Sequence, residues 1–268
     1  MTATSFRERF PPPDRPWTQE YVDLHRQLVA EALDDPALIE TFRRGDQLPP
    51  GFGVGFDERV VEYPWLLSQG LGGRMLDAGS ALNHEHVIDR VVSTVDELHI
   101  VTLEPEERAF TQSRVSYVYS DLRSLPYRDG YFDLVVCLST LEHVGMDNER
   151  YGVIEPRAED PASEMRRAIG ELVRVCSRRL LISVPYGQRA DHGWFRQFDR
   201  ADVEAMVDAV SGEASTTVFR YYAEGWQISD LTSAAAVKYR DFTADSSPVD
   251  DLAAAARAVV CVSVGIGS

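Results

Sequence analysis

Four short segments of the chain place acidic, hydroxyl and imidazole side chains directly after runs of apolar residues. They are residues 75–80, 120–127, 129–136 and 139–144. In the first segment Gly79 allows a ligand to approach the backbone closely, and Asp77 can orient the loop or bind a ligand amine. In the last segment Glu142 and His143 are adjacent, and an imidazole titrates near neutral pH. These residue types predict a site that binds a polar ligand and transfers a proton.

The apolar runs that carry these segments have the length and composition of β-strands. Five are recognised, at residues 74–78, 98–103, 115–119, 131–138 and 180–184. Helical patterns separate them: one helix has apolar residues from Met165 to Cys176 on one face, and another begins after Asp199. Strands that alternate with helices indicate right-handed crossovers and a buried parallel sheet. Such sheets bind ligands at the carboxyl ends of their strands, where all four segments are expected to meet.

The flanks of this core predict a helical N-terminal extension and two closing strands. Apolar residues recur at helical spacing between residues 17 and 33, and residues 45–55 are rich in glycine and proline. Residues 216–222 and 258–264 have the pattern of strands. We therefore divide the chain into an arm, helix and lid loop at 1–60 and a main domain at 61–268, with an aromatic-rich insert at about 186–235. The first helix and the loop at 45–56 are expected to close over the site.

Together the four segments resemble the class I S-adenosylmethionine-dependent methyltransferases, in particular the group that methylates small molecules. The resemblance rests on Met-Leu-Asp-Ala-Gly-Ser at 75–80, Ser-Asp-Leu-Arg-Ser-Leu-Pro-Tyr at 120–127, Asp-Gly-Tyr-Phe-Asp at 129–133 and Ser-Thr-Leu-Glu-His-Val at 139–144. It implies a Rossmann-like α/β fold with a seven-stranded, mostly parallel sheet, helices on both faces and an antiparallel last strand. It also implies that S-adenosylmethionine is the cofactor and S-adenosylhomocysteine the product.

By the same resemblance, the residues that bind the cofactor follow the strands. The expected set is Asp77, Ala78, Gly79 and Ser80 for the methionine part, Asp121 and Leu122 for the adenine, and Ser139 and Thr140 for the sulfonium end. The resemblance implies that Asp121 accepts a hydrogen bond from the exocyclic amine of the adenine. Glu104 is the candidate for the ribose, although Thr102 stands at the usual position of that acid.

The chain departs from the family pattern in its first loop. The family usually has two or three glycines there, whereas Gly79 is followed by Ser-Ala-Leu-Asn at 80–83. A loop of small residues still admits a ligand, so cofactor binding is expected, and a cofactor-free scaffold protein is the alternative. A Rossmann dehydrogenase is a further alternative, but the Gly-x-Gly-x-x-Gly fingerprint of that class is missing from Gly79 onward.

Two histidines are candidates for the base that an alcohol acceptor needs. His143 lies at the predicted edge of the sheet, and His192 lies beside Asp191 in the loop at 186–195. Glu142, His143 and Asp147 have an oxygen-rich spacing that suits Mg²⁺, but three residues on one turn do not suffice to predict a metal site. No metal ligands are therefore predicted, and a divalent ion stays an open alternative.

The acceptor is expected to be a small molecule. An aromatic-rich stretch beyond the core suits a sugar ring or a flat scaffold, and two of its members are expected to line a pocket. They are Trp194, Phe195, Phe198, Tyr221, Tyr222 and Trp226. Residues 139–151 look like a bacterial subgroup associated with polysaccharide or glycosylated-metabolite assembly. We therefore expect O-methylation of a sugar or a glycosylated natural product, with N- or C-methylation of a small metabolite as the alternative.

The composition restricts the other partners. The chain has 43 acidic and 27 basic residues and a net charge of −16, which disfavours nucleic acid and anionic membrane surfaces. No apolar run reaches the roughly 20 residues that a membrane helix needs, and no signal peptide is recognised. The three cysteines lie far apart in apolar stretches, as expected of reduced thiols in a cytoplasmic protein. A homodimer stays open.

Overall fold

The computed structural model describes residues 5–11, 15–106, 108–110, 114–152, 156–210, 212–240 and 256–267. Its helices are α1 (Phe6–Arg9), α2 (Gln19–Asp34), α3 (Pro36–Arg44), α4 (Arg59–Ser68), α5 (Glu85–Val92), α6 (Pro161–Val175), α7 (Arg200–Val210) and α8 (Leu231–Ala234). Single turns of 3₁₀ helix lie at Leu141–His143 and Glu149–Tyr151. The strands are β1 (Arg74–Ala78), β2 (Glu97–Thr102), β3 (Val115–Tyr119), β4 (Phe132–Leu138), β5 (Cys176–Pro185), β6 (Ala190–Asp191), β7 (Arg196–Gln197), β8 (Glu213–Tyr222), β9 (Gly225–Ser229) and β10 (Ala258–Gly265).

The main sheet has eight strands in the order β3-β2-β1-β4-β5-β10-β8-β9. The first five of these are parallel, and β10 pairs in the antiparallel direction with both β5 and β8. The predicted mostly parallel sheet with an antiparallel last strand is confirmed, with one strand more than expected. The additional strand, β9, forms a hairpin with β8 at the edge of the sheet.

Helices cover both faces of the sheet, as predicted. One apolar core contains side chains of α2, α3, α4 and α5, and the other contains side chains of α6 and α7. Helix α6 begins at a Pro preceded by Asp160, whose carboxylate caps the backbone N–H of Ser163, and it ends where β5 begins at Cys176. Cys176, expected on the face of this helix, is therefore the first residue of a strand. All three cysteines are buried and free.

The N-terminal helices form a layer against the sheet. Helix α2 buries Tyr21, Leu28, Val29, Ala32 and Leu33, a stripe at helical spacing that faces α4 and α5. The short α4 is almost entirely buried, although it contains the charged residue Glu62 among apolar neighbours. No described helix is long and apolar enough to cross a membrane.

The glycine-rich loop after α3 is attached to the β8–β9 hairpin. Phe52 and Phe56 are fully buried, and the backbone of Phe52 accepts a hydrogen bond from the N–H of Trp226 at 2.9 Å. The N–H of Gly55 donates to the hydroxyl of Tyr221 at 2.9 Å. These contacts attach the loop to the hairpin, and closure of the loop at 45–56 over the site stays a prediction. Glycine serves here to admit close contact, because a side chain at Gly53 would collide with Trp226.

Candidate active site

The first cavity lies at the carboxyl ends of β1, β2, β3 and β4, and we call it the strand-end cavity. It has a volume of about 340 Å³, a size typical of small-molecule sites. Six of the nine predicted cofactor-binding residues line it, together with Thr102: Gly79, Glu104, Asp121, Leu122, Ser139 and Thr140. The topology of the sheet therefore brings together residues that are distant in sequence. Gly79 and Thr140, for example, are 61 positions apart and line the same cavity.

The other three predicted residues lie behind the wall of this cavity. Asp77 and Ala78 are fully buried and Ser80 is 7% exposed. One oxygen of Asp77 accepts a hydrogen bond from the N–H of Leu82 at 2.9 Å, and burial raises the pKa of Asp77 to about 7. Asp77 thus holds the loop that follows β1 in place. Within this loop, Ser80 adopts a left-handed backbone conformation with φ of 60°.

Asp121 is already part of an ionic network at the end of β3. Both of its carboxylate oxygens accept hydrogen bonds from the guanidinium of Arg123, which also donates to Glu164 at 2.8 Å. Burial alone would raise the pKa of Asp121, but the hydrogen bonds from Arg123 lower it. The carboxylate is therefore held ionised at the cavity wall, where it can accept from a further donor.

Ser139 lies at the centre of the site, with a strained backbone φ of 39°. Its hydroxyl donates to Glu62 at 2.6 Å, and the hydroxyl of Ser183 donates to the same carboxylate oxygen at 2.6 Å. Arg59 donates to the other oxygen of Glu62 at 2.8 Å and to the carbonyl of Leu138 at 3.4 Å. The fully buried Glu62 thus connects α4 to the ends of β4 and β5.

A second cavity, which we call the aromatic cavity, adjoins the first and has a volume of about 610 Å³. The two cavities share Arg59, Ser139, His143 and Tyr151 in their walls. Aromatic side chains from five parts of the chain line the second one: Trp17, Tyr21, Tyr63, Tyr151, Trp194, Phe195 and Tyr239. Helix α2 and Trp17, two residues before its start, thus contribute to the wall of this cavity.

Two members of the aromatic-rich stretch, Trp194 and Phe195, line the aromatic cavity. Phe198, Tyr221 and Trp226 instead belong to the buried cores. Tyr222 lines neither cavity, so Trp194 and Phe195 are the two members of this stretch that line the aromatic cavity.

His143 lies where the cavities meet. Its Nδ1 is 2.9 Å from the carbonyl oxygen of Trp194. A carbonyl can only accept a hydrogen bond, so Nδ1 carries the proton in the neutral ring and Nε2 holds the lone pair. Glu142 Oε1 lies 3.9 Å from Nε2, and the ring stacks on Trp194 with centroids 5.1 Å apart. The ring is therefore oriented as a proton acceptor.

His192 lies behind the wall of the aromatic cavity. Its ring stacks on Phe195 with centroids 4.5 Å apart and an interplanar angle of 5°, and it contacts Tyr239 at 4.9 Å. Phe195 and Tyr239 line the cavity, whereas His192 is not among its lining residues. The structure thus brings His143, but not His192, to the junction with the strand-end cavity.

Three acidic residues beside α4 and the 3₁₀ turn line the floor of the aromatic cavity: Asp57, Glu58 and Glu142. Burial would raise the pKa of Asp57, but the charge and hydrogen bond of His25 lower it to about 2. Burial and the charges of Asp57 and Glu62 raise the pKa of Glu58 to about 8. Burial also raises the pKa of Glu142 well above its ordinary value. The floor therefore combines ionised and protonated carboxyl groups.

The sequence pattern did not single out Arg59 and Glu62 of α4, or Glu58 directly before this helix. The available signal was Glu62 within the otherwise apolar run from Val60 to Trp65, since a charge in such a run needs a buried partner. Among the described residues, no group of three or more His, Cys, Asp or Glu side chains is arranged to hold a metal ion.

The comparisons with known proteins agree with this geometry. Residues 78–178 match the model of a family described as a methyltransferase domain. This segment runs from the end of β1 to the start of β5 and includes most of the strand-end cavity. The match confirms the predicted S-adenosylmethionine-dependent methyltransferase. No curated protein matches the chain significantly.

Solved structures with a similar fold are distant in sequence. The YcgJ protein of Bacillus subtilis is 14% identical, with a TM-score of 0.48, 77% of this chain covered and 98% of that one. The 1,6-didemethyltoxoflavin-N1-methyltransferase of Burkholderia thailandensis is 12% identical, with a TM-score of 0.47 and coverage of 95% and 93%. N-methyltransferase NodS of Bradyrhizobium japonicum, in complex with S-adenosylhomocysteine, is 14% identical, with a TM-score of 0.43 and coverage of 90% and 97%.

The residues around the strand-end cavity fit S-adenosylmethionine. Glu104 and Asp121 place carboxylates at the ends of β2 and β3, which suit the hydroxyl and amine donors of a nucleoside. Gly79 leaves the backbone bare, since a Cβ there would lie 2.3 Å from the hydroxyl oxygen of Thr140. Close approach of the cofactor at this single glycine stays a prediction.

We predict that Gly79→Ala destabilises the protein by about 1–3 kcal/mol, because its φ of 113° and the contact with Thr140 leave no room for a Cβ. Urea denaturation measures the loss, and titration with S-adenosylhomocysteine should show at least tenfold weaker binding. Gly170→Ala is the control, since that glycine lies in α6 with nothing within 4 Å of the added carbon. Equal stability of the two variants would contradict the steric argument.

We predict that Glu58→Gln changes the pH dependence of stability. A carboxyl whose pKa rises from its ordinary 4.5 to about 8 on folding stabilises the fold fully below pH 4.5, and this stability is lost as the pH rises toward 8. The variant should therefore gain about 1–3 kcal/mol relative to the wild type between pH 5 and pH 8.

Thermal unfolding at several pH values measures this difference for Glu58→Gln. Glu224→Gln, an exposed residue in the turn between β8 and β9, is the matched control and should show no such trend. A difference between Glu58→Gln and wild type that does not change with pH would show that Glu58 is ionised in the folded protein.

Proposed function

We propose that the protein transfers a methyl group from S-adenosylmethionine to a hydroxyl group of a sugar or a glycosylated natural product. The observation that carries this proposal is the position of His143 at the junction of the two cavities, with Nδ1 bonded to the carbonyl of Trp194. An alcohol loses its proton during methyl transfer, so it needs a base at this junction. The strand-end cavity takes the cofactor in this proposal, and the aromatic cavity takes the acceptor.

The cofactor is proposed to lie along the ends of the strands. Asp121 accepts from the adenine amine beside Leu122, Glu104 binds the ribose, and Gly79 and Ser139 border the methionine part. Arg59 lines the cavity near Gly79 and Ser139 and is proposed to face the carboxylate of the methionine. When bound, S-adenosylmethionine supplies an activated methyl group on a positively charged sulfur.

The chain's own contribution is alignment and proton acceptance. Nε2 of His143 accepts the hydroxyl proton. Trp194 and Tyr151, which contact the ring of His143, hold it in place and provide flat surfaces for a sugar. His192 is proposed to support Phe195 from behind.

We predict that Asp121→Ala weakens binding of S-adenosylhomocysteine about tenfold, because the adenine amine loses a charged acceptor worth about 1.5 kcal/mol. Calorimetric titration measures the affinity. Asp129→Ala is the control: Asp129 is exposed, pairs with Arg174 and lines neither cavity. If the Asp121 variant bound S-adenosylhomocysteine as tightly as the wild type, the proposal that Asp121 binds the adenine would be wrong.

We predict that His143→Gln lowers turnover by about 100-fold or more through loss of the base. Transfer of a labelled methyl group from S-adenosylmethionine to a panel of monosaccharides measures this, and mass spectrometry identifies the methylated atom. His192→Gln, which changes a histidine outside the cavity walls, should lower turnover much less. A larger loss for His192→Gln than for His143→Gln would reverse the assignment of the base, and methylation at nitrogen would overturn the proposed reaction.

A further inference from the structure

Two carboxyl groups of the aromatic cavity have an oxygen without a hydrogen-bond donor. Glu142 is only 3% exposed, and its Oε2 is buried without a partner among the described residues. Oε2 of Glu58 is buried in the same way. Both residues line the cavity. Because an unsatisfied buried acceptor costs free energy, these oxygens are suited to a donor that a ligand brings.

Two of the basic side chains that line the cavity are bonded to other groups. Arg59 donates to Glu62 and to the carbonyl of Leu138. His25 is bonded to Asp57 at 3.0 Å. Burial together with the neighbouring acids raises the pKa of both Glu58 and Glu142. A ligand cation would allow these carboxyl groups to ionise.

The walls of the cavity also suit a cation attached to a ring. The faces of tryptophan and tyrosine attract positive charge, most strongly when water is excluded. Tyr21 is buried, whereas Trp17 and Tyr151 are exposed at 60% and 49%. These two exposed side chains belong to different parts of the chain, and both line the cavity. An acceptor that bound there would therefore cover two aromatic side chains that water now reaches.

We propose that the acceptor carries an ammonium group, as an amino sugar does, and that Glu58 and Glu142 bind this group. This inference rests on the proposed function, since it concerns the acceptor of the same site. An ammonium nitrogen that is held by carboxylates keeps its proton and has no lone pair. The amine is therefore a recognition group, and the hydroxyl group that faces His143 is the one that is methylated.

The test compares sugars that differ only in one group. Glucosamine and glucose, galactosamine and galactose, and mannosamine and mannose are titrated into the full-length protein with S-adenosylhomocysteine present, and binding is followed by saturation-transfer NMR. We expect at least one amino sugar to bind ten times more tightly than its hydroxyl counterpart. Equal affinities within every pair, or no binding of any amino sugar, would overturn the proposal.

Variants separate the role of the carboxyl groups from other effects. Glu142→Gln and Glu58→Gln preserve the size of the side chain, and each should reduce the preference for the amino sugar at least fivefold. Glu149→Gln is the matched control, because it removes an exposed carboxylate close in sequence that lines neither cavity. A preference that persists in both cavity variants would overturn the proposal.

The affinity for S-adenosylhomocysteine reports whether each variant retains its fold, since neither glutamate lines the strand-end cavity. It also separates the two proposals. If S-adenosylhomocysteine binds and the neutral sugars are methylated as readily as the amino sugars, the ammonium proposal fails and the proposed function stands. If S-adenosylhomocysteine does not bind the wild type, the proposed function fails first.

Discussion

The fully buried carboxylate of Glu62 is the interaction on which the site depends. It receives hydrogen bonds from Ser139 and Ser183 and an ion pair from Arg59, so a helix and the ends of two central strands meet at one side chain. A buried carboxylate is tolerated only when its oxygens are satisfied, and here three donors satisfy them. The same contacts hold the strained backbone of Ser139, because its hydroxyl and its N–H are both engaged.

The first loop shows how the chain replaces the missing glycines. In place of several residues without side chains, one glycine lies against Thr140, and the buried Asp77 holds the turn through the N–H of Leu82. Ser80 adopts the left-handed conformation that a second glycine would otherwise provide. The loop thereby keeps a bare backbone at one position and obtains its shape from hydrogen bonds at the others.

The parts of the structure that depend on local pattern could be predicted from the sequence. Continuous apolar runs identified the parallel strands, and their order placed Gly79, Asp121 and Ser139 at one edge of the sheet. The strand Gly225–Ser229 was missed because it is short and its Trp226 resembled a pocket residue, whereas it packs against the loop at 45–56. The glycine content of that loop is visible in the sequence, whereas its attachment to β8 and β9 is not.

The acceptor side of the site could be predicted only in outline. The importance of Glu58 and Glu142 arises from burial beside other acids, and burial of this kind depends on which helix covers which strand end. His143 and His192 both follow apolar segments and could not be ranked by spacing. The carbonyl of Trp194, distant in sequence from His143, distinguishes them.

The segment that matches the methyltransferase family ends at residue 178, whereas Trp17, Tyr21, Glu58, Trp194 and Tyr239 of the aromatic cavity all lie outside it. In the proposed function, the cofactor half and the acceptor half of the site are therefore encoded by partly separate stretches of the chain, which share Ser139, His143 and Tyr151. Substitutions in the outer stretches can alter which molecule enters without disturbing the strand ends. A sequence comparison limited to the matched segment thus covers nearly all of the strand-end cavity but only a minority of the residues that line the aromatic cavity.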